Sequence, residues 1–101
     1  MNYTENFEGI KLDIQAVDMT IGDTVHHGIR DMLTRLRRHI SEINWADVHL
    51  THETGKATEQ RSVNVRLGIP GNDVFASDTG EHFMVLLKSV EEKLRRQLEK
   101  R

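Results

Sequence analysis

The sequence predicts an α+β fold: a two-layer sandwich in the order β-α-β-β-β-α, with a four-stranded sheet carrying two helices on one face. Three observations predict it. Apolar residues recur at every second position in four short stretches. They recur every three or four positions in two longer ones. Clusters of Gly, Pro, Asp and Thr separate the two kinds. A chain of 101 residues with 37% apolar content can bury a core without covalent staples, and with no cysteine it has none.

Residues 1–8 show no clear period and read as a flexible lead-in, leaving 9–101 as one α+β domain. From Ile10, the residues Ile10, Leu12, Ile14 and Ala16 alternate with Lys11, Asp13 and Gln15, as on a half-solvated strand. Thr20-Ile21-Gly22-Asp23 has capping-box spacing. Ile21, Val25, Ile29, Met32, Leu33, Leu36 and Ile40 then share one helical face, which predicts a helix of about five turns. Residues 41–46 break the period, and alternation resumes through Val48 and Leu50. Thr54-Gly55-Lys56 supplies a turn before a strand with Val63, Val65, Leu67 and Ile69 inward. Pro70-Gly71-Asn72-Asp73 is a second turn, because proline presets φ and glycine permits a positive one. A short strand to Ser77 follows. Asp78-Thr79-Gly80-Glu81 reads as an N-cap, and the last helix buries Phe83, Leu87, Val90, Leu94 and Leu98. Two single-faced helices need one apolar sheet face, hence the sandwich.

Charge is unevenly distributed. The net charge is -2, yet residues 24–40 and 82–101 each carry +3, while 1–23 and 41–81 each carry -4. Positive charge belongs to the helices, which suggests a localised surface for a polyanion. His26, Arg30 and Arg37 line one flank of the first helix stripe, and Lys93, Arg96 and Lys100 share a face of the second. Structural accounts compete at each position: arginines can simply solvate a helix flank, and Lys100 and Arg101 complement a helix C-terminus. Glu92 and Glu99 stand close enough in sequence to neutralise Arg95.

Other chemistries find little support. No nucleotide-binding loop, nucleophile elbow or zinc-type His-Glu pair occurs, so no enzymatic activity and no cofactor are expected. His49 and His52 would point to opposite faces of a strand, and His26 and His27 diverge around a helix, so no metal site is expected. No apolar run could cross a bilayer and residues 1–20 are too acidic for a signal peptide, so the expectation is a cytoplasmic protein without a membrane partner. Trp45 reads as closing one end of the core. Phe75 is out of phase with Val74 and Ala76, and is free to meet a partner, an RNA base or a neighbouring loop.

The element order, with Leu36-Arg37-Arg38-His39-Ile40, Ala46-Asp47-Val48-His49-Leu50, Val74-Phe75-Ala76-Ser77 and the closing Lys93-Leu94-Arg95-Arg96-Gln97-Leu98, resembles the hibernation-promoting-factor family of ribosome-associated proteins. The likeness covers about residues 8–101, and the closing segment is its most specific part. It implies a short-form translation inhibitor that docks on the decoding region of the small subunit, against 16S ribosomal RNA, and occludes messenger and transfer RNA. The rRNA-binding residues it implies are Arg30, Arg35, Arg37, Arg38, Lys88, Lys93, Arg96 and Lys100. Glutamate at Arg37 and Lys93 is then expected to weaken ribosome binding and leave thermal stability nearly unchanged. The rival readings are a protein-interaction module of the same fold that has lost ribosome binding, with a homodimer as one partner arrangement, and a binder of duplex RNA.

Overall fold

The computed structural model describes residues 1–53 and 60–100; the turn expected at Thr54-Gly55-Lys56 and the terminal Arg101 lie outside them. The elements are β1 (Asn2–Phe7), β2 (Ile10–Ala16), α1 (Asp23–Leu36), β3 (Trp45–Glu53), β4 (Gln60–Gly68), β5 (Asp73–Gly80) and α2 (Phe83–Glu99). One mixed sheet holds all five strands in chain order. β2 and β3 pair in parallel across the α1 crossover, and the other neighbours are antiparallel.

The sheet therefore has five strands where four are expected, and the extra one is the supposed lead-in. β1 pairs with β2 from Asn2↔Gln15 to Phe7↔Ile10. A two-residue turn closes this hairpin, with both Glu8 (φ 49°) and Gly9 (φ 90°) in the left-handed region that matches strand twist. The side chain of Asn6 accepts the Gly9 amide at 2.9 Å. A period of two was present in Tyr3, Glu5 and Phe7, but an acid at its centre hides it. Register places Tyr3 and Glu5 opposite the buried Ile14 and Leu12, so both face the helices.

The other strands follow their alternation. Leu12, Ala46 and Leu67 form one inward row and Ile14, Val48 and Val65 the next, all fully buried. Both helices lay their stripes on this face: Ile29, Met32, Leu33 and Leu36 from α1, and Leu86, Leu87, Val90, Leu94 and Leu98 from α2. The helices run side by side in the same direction, since Gly28 meets Met84 and Leu87 while Arg35 reaches Glu91.

Neither expected cap forms. α1 begins after Gly22 and α2 after His82, each without a side-chain cap. Asp78 lies inside β5, which runs on to Gly80. Helix α1 also stops at Leu36 rather than Ile40, because Arg38 and His39 donate to carbonyls only three residues back. Trp45 does not close the core. It lies on the open face of the sheet over Gly68, where a Cβ would come within 2.1 Å of its indole. Only glycine permits that approach.

Candidate nucleic-acid interface

The structure sorts the eight expected cations by what the fold places opposite them. On the flank of α1 that faces β1, Arg30 forms a two-pronged bond to Glu5, Nε to Oε1 at 2.8 Å and Nη2 to Oε2 at 2.6 Å. The Tyr3 hydroxyl donates to the same carboxylate at 2.5 Å. His26 lies edge-on to Tyr3 at 4.7 Å, with Nε2 4.0 Å from Glu5. Hydrogen bonding from Arg30 is the main reason that Glu5 titrates at about 2. Farther along, Arg37 Nη2 donates to the Glu8 carbonyl at 2.8 Å. The flank that the sequence offers to phosphates is therefore occupied by a strand that local pattern does not reveal.

The seam between the helices is also occupied. Arg35 binds Glu91 through Nε at 2.9 Å and Nη2 at 2.8 Å, and His39 Nδ1 stands 3.8 Å from Glu99. On the far flank, Lys93 donates to the Ser77 carbonyl at 2.8 Å and stands 4.0 Å from Asp78. Asp78 accepts from Ser89 Oγ and from the Thr79 amide; these bonds, the first above all, hold its carboxyl below the usual range. Gln97 bridges the edge of β5, accepting the Phe75 amide at 3.1 Å and donating to its carbonyl at 2.6 Å. Arg37 and Lys93 thus hold strand or turn carbonyls, and glutamate at either position would remove a hydrogen bond that sequence reasoning does not foresee.

Four candidates remain on the solvent side. Arg38, Lys88 and Lys100 are exposed and have no ion-pair partner among the described residues. Lys88 stands roughly opposite the buried stripe of α2, by 100° per residue, and Arg38 lies in the turn that follows α1. Arg96 is 65% exposed and only loosely paired, with Nε 3.4 Å from Glu92. Arg95 is neutralised as expected, by Glu92 and by Glu99.

Sequence reasoning did not assemble a second cluster, on the open face of the sheet. Asp47, His49, Asn64, Arg66 and Phe75 line a shallow depression of about 230 Å³. Arg66 lies over the Phe75 ring, 5.1 Å from its centroid, and Phe75 is 43% exposed. The signal for this cluster was the out-of-phase Phe75, but its neighbours come from three strands. Among the described residues, no group of three His, Asp or Glu side chains converges as a metal site requires, and no helix is long and apolar enough to cross a membrane.

Comparison with known proteins bears on this geometry. Residues 12–101 match the model of the family described as sigma 54 modulation protein / S30EA ribosomal protein. The ribosome hibernation promoting factor of Acinetobacter guillouiae is 28% identical over 99 residues, covering 90% of this chain and 86% of that protein. Among solved structures, the N-terminal domain of Thermus thermophilus Protein Y superposes with a TM-score of 0.76 at 19% identity, covering 91% of this chain and 97% of that one. A ribosomal subunit interface protein from Coxiella burnetii gives 0.75 at 17% identity, with 88% and 93% covered. At these identities the two structures speak for the fold alone.

Proposed function

This chain belongs to the sigma 54 modulation protein / S30EA ribosomal protein family, and from that premise we propose that it is a ribosome hibernation factor. It docks on the decoding region of the small subunit, against 16S ribosomal RNA, and blocks messenger and transfer RNA by occupying their path. The action is steric and electrostatic, requires no bond to be made or broken, and takes place in the cytoplasm.

The observation that carries the geometry of docking is that Arg38, in the turn that follows α1, and Lys88, on α2, both present exposed and uncommitted charge. Arg96 and Lys100 extend that surface. Arg30, Arg35, Arg37 and Lys93 support it from beneath, by fixing the helices against each other and against the sheet. If the four outward cations each neutralise one phosphate, the logarithm of affinity falls with the logarithm of salt with a slope of about -3 to -4.

Co-sedimentation with 30S and 70S particles at low and moderate salt tests this reading. The expected outcome is a salt-sensitive one-to-one complex that Arg38→Glu with Lys88→Glu abolishes, while the thermal midpoint stays within a degree or two of the parent. Pelleting that survives the double reversal would remove the helix layer from the interface. One observation favours a second reading, a protein-binding module of the same fold, in which another copy of the chain is one partner. Glu91, Glu92 and Glu99 neutralise much of the helix charge from within. Failure to pellet at low salt, together with a complex that survives high salt, would select that reading.

A further inference from the structure

We propose that the open face of the sheet carries a binding site for an unpaired guanine of single-stranded RNA, with Phe75 and Arg66 as the stacking surface and Asp47 as the hydrogen-bond acceptor for the base edge. The site lies on the side of the sheet away from the helix cations, so it stands apart from the docking surface proposed above.

Polar side chains on this face differ in whether they are satisfied. Toward β1 and toward the far end of the meander, side chains pair with one another. Thr4 donates to Asp13 at 2.6 Å, and the Thr51 and Ser62 hydroxyls bond to each other. Between them the pattern changes. The side chains of Asp47, His49 and Asn64 converge on the depression without a hydrogen-bond or ion-pair partner among the described residues. Beside them lies the largest exposed apolar group of the face, the Phe75 ring, with the Arg66 guanidinium over it. A concave surface with a few convergent polar groups and an exposed ring is the general form of a small recognition site. Its volume of about 230 Å³ falls below the roughly 300–1,000 Å³ of pockets that enclose whole small molecules, and suits one ring system presented by a chain.

Register and chemistry then select the ligand. Asp47, Arg66 and Phe75 are direct neighbours across β3, β4 and β5. With strands about 4.8 Å apart, the carboxylate and the aromatic ring stand roughly 10 Å from each other, a span that one purine stacked on the ring or on the guanidinium plane can bridge. A carboxylate accepts from adjacent donors, and guanine alone among the four RNA bases presents N1–H and N2–H side by side on its pairing edge. The phosphate backbone is not the attraction here, because Asp13, Asp47 and Asp73 outnumber Lys11 and Arg66 on this face. The two bonds from Gln97 to the Phe75 backbone fix the platform, so stacking does not have to order it first.

The test uses the whole chain and needs no ribosome, so failure of this site leaves the pelleting result intact and the converse also holds. Trp45 is the chain's one tryptophan and lies on the same face, so its fluorescence reports occupancy. Labelled single-stranded hexamers with one central guanine, or adenine in its place, and free guanosine monophosphate are titrated by anisotropy and by Trp45 quenching. The guanine hexamer should bind about tenfold tighter than the adenine hexamer, and more tightly than the free nucleotide. Phe75→Ala should weaken both hexamers about fivefold or more, since stacking is indifferent to base identity. Asp47→Asn, which keeps shape and removes the charge, should erase the guanine preference and retain the residual stacking affinity. Equal binding of the two hexamers, a guanine preference that survives Asp47→Asn, or affinity unchanged by Phe75→Ala would each overturn the proposal. Tighter binding of the free nucleotide than of the hexamer would overturn the assignment to RNA.

Discussion

The helix flanks that face a sheet edge and the helix faces that look away from the sheet carry the same kinds of cation, and the fold gives them different tasks. Toward β1, Arg30 holds Glu5 and Arg37 holds the Glu8 carbonyl; toward β5, Lys93 and Gln97 hold strand backbone. By contrast, Arg38 and Lys88 are exposed and form no side-chain hydrogen bond or ion pair among the described residues. The availability of a cation to a partner is thus decided by what the fold places across from it. An arginine committed to a carboxylate has part of its donor fork engaged and its charge offset, whereas an uncommitted one loses little beyond hydration and side-chain freedom when it binds phosphate.

Reversing charge at the committed flank should give the largest effect. Glu5→Lys sets a cation against Arg30 at a position where the carboxylate is only 17% exposed. It is expected to detach β1 and lower the thermal midpoint by several degrees, while ribosome pelleting well below that midpoint stays unchanged. Loss of pelleting with an unchanged midpoint would erase the distinction between the two regions. The same pair has a pH signature. The folded-state pKa of Glu5, about 2, lies below its ordinary value of 4.5. The resulting stabilisation is therefore fully present above pH 4.5 and is lost as pH falls toward 2. Urea midpoints of the parent and of Glu5→Gln should differ most at neutral pH and converge near pH 2.

A smaller effect of opposite sign is expected at the helix seam. Glu91→Gln with Glu92→Gln releases Arg35 and loosens Arg95 and Arg96. Affinity for ribosomal particles should rise a few-fold at low salt, with a steeper salt dependence, because more cations become available to displace counterions. Unchanged affinity would mean that RNA already displaces these acids, or that the seam lies outside the contact.

How much of this was legible in the sequence follows from the range of each interaction. Alternation and helical stripes are local, so four strands, two helices and nearly all of the core could be read directly, Leu86 being an exception. β1 was hidden because Glu5 occupies an inward position, and what makes that tolerable is Arg30, 25 residues away. The same blind spot hid the partners of Arg30 and Arg37, a flank that looks free only while β1 is missing. Neither cap signal marks a cap that forms: α1 starts after Gly22 without one, and Asp78 is held by Ser89 within a longer strand. The depression around Phe75 draws on three strands and needed the register of the sheet.

The smallest effect tests whether the β5 flank is committed for the same reason as the β1 flank. Gln97 satisfies both outward-facing backbone groups of Phe75 with one side-chain amide, much as a neighbouring strand would. Two partly exposed hydrogen bonds contribute about 1 kcal/mol or less each, so Gln97→Ala should lower the midpoint by only a few degrees. The more telling consequence is at the edge. An unpaired strand edge is a template for another chain, and covering it with a side chain prevents that pairing. Sedimentation velocity across a concentration series should therefore show stronger self-association in Gln97→Ala than in the parent, an increase that Lys88→Ala does not produce. If the variant remains as monodisperse as the parent, Gln97 only anchors α2, and protection of the β5 edge must come from elsewhere on that flank.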